Sequence, residues 1–402
     1  MSSIKYVKAF DGLRGIAVLM LFVYHFPGRY IYMRHGWEFM QMFFVMSGYL
    51  ISLTLLEGRE RFPFKQYAVN FYIKRALRLF PLYFAYIFIC LVVNALFRNT
   101  EMMKLSLADV AYHAKYLLTF TFNFMQFINE ALGKDYTSTI FTRHLWTISL
   151  EEQFYLVFPL IFFFFDKKQI QKIILALIVI APIFRVLFYM YLRHSNPGDI
   201  AWASVNLSRI PFAQMDSLAL GAALAVFNTD WIKNAMRWWW IFLLVIVLAY
   251  SANMLYVYYV QGLDYYQVTY GFKITEKWIT HNYLFAYIIT LVNIWCALTL
   301  LCVKRNAKLV PVLELKPLVF LGKLSYGIYV LHLPILGVLI YINYYLNGDR
   351  IKPYILHEII LFAVFFITVV GVAYLSFNYF ESYFLRMKKK LKRMQTLNEQ
   401  AV

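Results

Sequence analysis

Charge is scarce in this 402-residue chain, at 15% of residues against 62% hydrophobic, and the mean hydropathy is +0.59. That excludes an ordinary soluble domain, which is nearer half apolar and a quarter charged. Cysteine is almost absent. Cys90, Cys296 and Cys302 fall inside apolar runs, where they read as small buried hydrophobes rather than disulfide partners or nucleophiles. There is no internal repeat and no low-complexity linker, and apolar stretches run from end to end, so one bundle is expected and no second soluble domain. Acidic residues are few, 21 against 39 basic, leaving a net charge of +18. No nucleic-acid-binding motif accompanies that charge, and the positive residues gather at the ends of apolar runs, as membrane orientation requires. A small-x-small cleavage site is also missing after Lys5 and Lys8. The apolar stretch that follows contains Arg14 and His25, so it reads as a retained helix and not a signal peptide.

What is present reads as an all-α polytopic membrane protein with about ten transmembrane helices. They are expected at 11–27, 38–56, 77–97, 145–165, 171–192, 211–229, 238–260, 282–303, 318–345 and 357–380. Asp109, His113 and Lys115 interrupt residues 106–128, which are expected to form an interfacial or re-entrant element on the outer side. With both termini cytoplasmic, the inner segments carry the larger share of Lys and Arg. An eleventh span would move Lys167, Lys168 and Lys172 outside, against that bias. The reading divides the chain into a membrane domain, 1–385, and a basic cytoplasmic tail, 386–402. In the tail, Arg386, Lys388, Lys389, Lys390, Lys392 and Arg393 lie against anionic headgroups. Trp238, Trp239 and Trp240 fit an interfacial aromatic belt.

Ionisable groups inside spans are costly and therefore candidate functional groups. The first helix has three. Arg14 and His25 are eleven residues apart, close to three helical turns, so they share a face about 16 Å apart along the axis. Asp11 can pair with Arg14, either as an anchor or as part of a site, and His25 is either a functional imidazole or one hydrogen-bonded within the bundle. Lys74, Arg75 and Arg78 end the inner loop before the third helix. The two guanidiniums, three apart, suit phosphate, although an orientation anchor gives the same pattern. Glu151 and Glu152 open the fourth helix; as neighbours they face different directions, so one at most is expected inside the bundle. His332, before Leu333-Pro334, is either structural or functional. His35, His113, His144, His194, His281 and His357 are expected at solvated surfaces. Trp37, Trp202, Tyr265 and Tyr266 could stack on sugar rings or anchor at the interface.

The run Phe10-Asp11-Gly12-Leu13-Arg14-Gly15-Ile16-Ala17, followed by Tyr24-His25-Phe26, resembles the opening signature of the acyltransferase 3 family of membrane O-acyltransferases. Phe43–Ile51, Arg75-x-x-Arg78, Trp146–Pro159, Met215–Gly221 and Leu321–His332 resemble its later motifs in order, across residues 10–385; Thr147 stands where serine is usual. The resemblance implies acyl-CoA, chiefly acetyl-CoA, as co-substrate, with no metal. It implies His25 as the catalytic histidine with Arg14 as its partner on the same helix, and Arg75 and Arg78 as the pair that holds the donor's phosphates. From the residues themselves, Asp11, Glu151 and Glu152 are added as catalytic candidates, Lys74 and Arg14 as donor-binding candidates, and Trp146, Ser149, Asp216 and His332 as acceptor-binding candidates. The resemblance further implies a stand-alone domain without a fused SGNH-type module, in a bacterial inner membrane. A carbohydrate or glycolipid on the extracytoplasmic face, such as lipopolysaccharide, would be the acceptor. A flippase for lipid-linked sugars is the alternative; its expected two similar halves are not apparent.

Overall fold

A computed structural model describes residues 7–28, 36–97, 108–131, 140–195, 209–260, 284–305, 309–347 and 355–387. Every regular element among them is helical, as a lipid-embedded backbone that must satisfy its own hydrogen bonds requires. In chain order these are α1 (Lys8–His25), α2 (Trp37–Arg61), α3 (Phe64–Phe97), α4 (Ala108–Leu118), α5 (Phe122–Ala131), α6 (Trp146–Phe164) and α7 (Lys167–Ser195). There follow α8 (Pro211–Val226), α9 (Ala235–Val260), α10 (Leu284–Lys304), α11 (Val310–Leu313), α12 (Lys316–Asn347) and α13 (Ile355–Leu375), which leads into a π-turn at Ser376–Glu381.

Among the described residues, eight helices are long and apolar enough to cross a membrane. Of the ten expected, two fall short of that standard. Helix α1 carries Lys8, Asp11 and Arg14 within its 18 residues, and α8 has only 16 residues, about 24 Å. Helix α3 differs most from expectation. It begins at Phe64 and not near 77, so Arg75 and Arg78 lie within a helix of 34 residues, about 50 Å long, rather than in a loop before it. Pro334 leaves α12 continuous.

The chain divides into two compact units, Met1–Tyr24, Met33–Glu57 and Gln153–Val319 in the first, and His25–Tyr32, Gly58–Glu152 and Phe320–Val402 in the second. In the first unit α2 crosses α8 backbone to backbone. A Cβ on Gly48 would come within 2.0 Å of the Leu218 carbonyl oxygen, and one on Gly221 within 1.9 Å of the Val45 carbonyl oxygen. Only glycine permits that approach, the usual device where helices pack in lipid. Trp239 turns inward to donate to Thr299 at 2.9 Å, while Trp238 and Trp240 remain exposed, so two of the three tryptophans suit the belt.

In the second unit, the described part of the expected 106–128 element, residues 108–128, forms no single helix. Helices α4 and α5, of 11 and 10 residues, are too short to span and break at Thr119–Thr121, where Phe120 takes φ 53°. Phe120 stacks on Phe80 and Tyr83 of α3, and the Tyr83 hydroxyl donates to the Leu117 carbonyl at 2.9 Å. The three cysteines are buried and free.

Candidate active site

In the first unit Arg14 donates to Asp11 at 2.8 Å, so the i,i+3 pair on α1 forms as the spacing predicts. Asp216 is less open than expected of an acceptor ligand. It is fully buried; its carboxylate takes Arg185 at 3.2 and 2.9 Å and the Thr290 hydroxyl at 2.6 Å. Arg185 is occupied in turn by the Ala213 carbonyl and Thr290. A buried pair completed this way is a structural clamp among α7, α8 and α10. No local pattern reveals the partner of Asp216, because Arg185 is 31 residues away.

His25 ends α1, and α1 runs unbroken from Lys8, which keeps Arg14 three turns from it. In the second unit His25 lies edge-on to His332, ring centroids 4.9 Å apart, and His332 lies 5.3 Å from His144. Two contacts fix the tautomers of the latter pair. His332 Nδ1 is 2.7 Å from the Tyr329 carbonyl oxygen, and His144 Nε2 is 3.0 Å from that of Val330. A carbonyl only accepts, so each of those nitrogens carries the proton. The lone pairs therefore sit on His332 Nε2 and His144 Nδ1, both buried without a protein partner.

Tyr329 completes the group. Its hydroxyl donates to the His144 carbonyl at 2.5 Å and meets the Thr147 hydroxyl at 2.5 Å. The histidine expected at a surface is thus buried here: His144 is 4% exposed. Burial, with the charges of His332 and Arg143 adding to it, holds its pKa well below the usual imidazole range. His113, also expected at a surface, is fully buried, facing Phe122 and Thr142; burial lowers its pKa to about 4. The helical break at Phe120 folds α5 over it, an event no local pattern announces. His194 is exposed and His357 half-buried. His35, His281, Trp202, Tyr265 and Tyr266 lie outside the described residues, and Trp37 is half-buried.

Both carboxylates of α6 are half-buried. Glu151 acts electrostatically on Tyr329, and Glu152 on Tyr83 and Tyr326, with Arg75 as its cationic neighbour. Arg78 stands by Tyr326 and Glu381; the π-turn, where Ser376 donates to Glu381 at 2.9 Å, delivers that carboxylate. Lys74, Arg75 and Arg78 are half-buried. Trp146 is buried, and Ser149 is fully buried against its own helix, its hydroxyl 3.5 Å from the Leu145 carbonyl. Sequence reasoning missed Tyr326, Tyr329, His144 and Glu381. Tyr326, Tyr329 and His332 recur every three residues along α12, each one turn from the next, and that spacing is the signal the sequence offers. No group of three His, Cys, Asp or Glu among the described residues is placed to hold a metal ion.

Comparison with known proteins adds a family. The family described as "Acyltransferase domain" matches residues 7–377. The chain is similar to the O-acetyltransferase OatA of Staphylococcus aureus, 27% identical over 376 residues, covering 90% of this chain and 56% of that protein. It is also similar to the peptidoglycan O-acetyltransferase OatA of Listeria monocytogenes, 29% identical over 194 residues, covering 46% of this chain and 30% of that one. The chain therefore spans about half the length, 56%, of the Staphylococcus relative it matches. No solved structure matches.

Proposed function

The chain belongs to the acyltransferase domain family, and from that premise we propose that this integral membrane enzyme moves an acetyl group from cytoplasmic acetyl-CoA to a hydroxyl on an extracytoplasmic carbohydrate, with His25 as general base. The observation that carries the reading is the His25–His332–His144 group, in which His332 presents a buried lone pair beside the His25 ring. A His25 N–H turned onto the open His332 Nε2 would fix the His25 tautomer and leave the other His25 nitrogen as the base, the logic by which a third group orients a catalytic imidazole.

The step balances without a further reagent. His25 removes the acceptor hydroxyl proton as the oxygen attacks the thioester carbonyl. The C–S bond breaks, an ester C–O bond forms, and the proton on His25 passes to the leaving thiolate to give CoA thiol. Arg75 and Arg78, one turn apart on α3, bind the donor's phosphates, and Lys74 adds charge there. Arg14 steers the donor along α1 while Asp11 holds its guanidinium. Glu151 and Glu152 set the field around Tyr329 and Arg75. The OatA names favour acetyl as the group and, through the Listeria protein, a cell-wall glycan ahead of lipopolysaccharide as acceptor. Both relatives are bacterial, which favours a bacterial plasma membrane, and the larger share of Lys and Arg in the inner segments favours both termini inside.

His25→Ala in reconstituted protein supplied with radiolabelled acetyl-CoA tests the mechanism. Transfer to glycan should fall by about 100-fold or more, the scale of a lost general base, with insertion and CoA affinity retained. Near-normal transfer would sink it.

A further inference from the structure

The first unit keeps three side-chain amides away from both water and protein partners. Gln41 and Asn293 are fully buried and Gln214 is 1% exposed. Both polar atoms of Gln41, both of Asn293 and the Gln214 Oε1 have no hydrogen-bond partner. An unsatisfied polar group in an apolar interior is costly, and a bilayer offers no compensating water.

Helix geometry brings these amides to one side. Gln41 precedes Gly48 by seven residues and Gln214 precedes Gly221 by seven. Two turns of helix restore the same face, so both amides project from the surfaces on which α2 and α8 cross, about 10 Å before the point of closest approach. Asn293 lies one turn from Thr290, the α10 residue that donates to Asp216 of α8 at 2.6 Å. Glu38, one turn before Gln41, accepts from Tyr250 at 2.8 Å. Under the ten-span reading, α2, α8 and α10 all start at the outer face, and the three amides lie within about 14 Å of those starts.

The neighbouring polar groups tell against a purely architectural purpose. At Arg185–Asp216–Thr290 this unit completes its polar contacts. The amides are left open. Gln41 and Asn293 each leave a donor and an acceptor open and Gln214 leaves an acceptor; Glu38 lies one turn from Gln41, and the Arg185 cation is already bound by Asp216. An anion finds no free cation there among the described residues of α2, α7, α8 and α10. A group that both donates and accepts without charge does fit, and a sugar hydroxyl is that group.

We propose that Gln41, Gln214 and Asn293, with Glu38 beside them, form a binding site for a neutral, hydroxyl-rich carbohydrate in the outer half of the first unit. This deepens the functional reading above by assigning acceptor recognition to residues distinct from the histidine group.

The test uses purified full-length protein in detergent, with chitotetraose as the neutral probe and inorganic phosphate as the anionic one, followed by tryptophan emission and thermal unfolding. Wild type should respond saturably to chitotetraose and not to phosphate. Gln41→Leu/Asn293→Leu should raise the half-saturating concentration at least tenfold while Tm holds or rises, because apolar isosteres relieve unpaired amides. Should that double variant fail to fold, Gln41→Met alone should show at least a threefold increase. No saturable response from wild type, a response to phosphate, or unchanged affinity in the folded variants would overturn the assignment. His25→Ala separates the two proposals: it should bind chitotetraose normally, so loss of transfer there bears on the mechanism and loss of binding in the amide variants bears on the site.

Discussion

At the scale of single residues, the arrangement around His332 makes a prediction that a merely structural histidine would not. Its Nδ1–H is tied to the Tyr329 carbonyl and its Nε2 is the lone pair beside His25. Glutamine places its Oε1 near the Nε2 position, whereas asparagine reproduces only the Nδ1 end. His332→Gln should therefore retain several-fold more turnover than His332→Asn, with acetyl-CoA KM similar in both, and the asparagine variant should show a shifted pH profile for kcat as His25 loses its orienting partner. Equal losses in the two variants, with the profile unmoved, would assign His332 to packing.

His25, Arg14 and Asp11 are legible in the sequence because their chemistry is conspicuous inside an apolar helix. His144 and His113 are not. Each lies beside loop-like residues, and burial there is decided by contacts with α12 and α5 that no local pattern encodes.

At the scale of elements, glycine placement sets how closely helices approach. Gly48 and Gly221 each face a carbonyl oxygen 2.0 and 1.9 Å from where a Cβ would stand, so any side chain forces the backbones apart. Gly48→Val or Gly221→Val should destabilise the α2–α8 crossing by roughly 3 kcal/mol or more, at or above the upper end of typical overpacking penalties. The expected readout is a lowered Tm and loss of the monodisperse peak in size exclusion. At Gly371 a methyl group would meet nothing within 4 Å. That position is the control, and Gly371→Ala should leave both measurements unchanged. The same scale explains the largest boundary error. Lys65, Lys74, Arg75 and Arg78 break the apolar pattern between residues 65 and 78, yet the helix continues through them because Glu152 and Glu381 stand by the two arginines and long cationic side chains tolerate a helix that outruns the hydrocarbon core.

At the scale of the whole molecule, orientation follows from charge and is open to direct measurement. The proposed arrangement puts the α6–α7 and α8–α9 connections inside, with Lys167, Lys168 and Lys172 in the first two turns of α7 and Lys233 just before α9, and puts α4 outside. The three native cysteines are buried, so they should stay silent to a membrane-impermeant maleimide and leave an unobscured background. Lys233→Cys and Lys168→Cys should label only after the membrane is permeabilised, and Tyr112→Cys, an exposed position on α4, should label in intact cells. Labelling of Lys168→Cys from outside would mean that residues 108–131 cross the bilayer after all. It would invert every span after residue 131 while leaving α1 and α3 as they are, and so oppose the orientation of α12, which carries His332, to the one the proposal gives it.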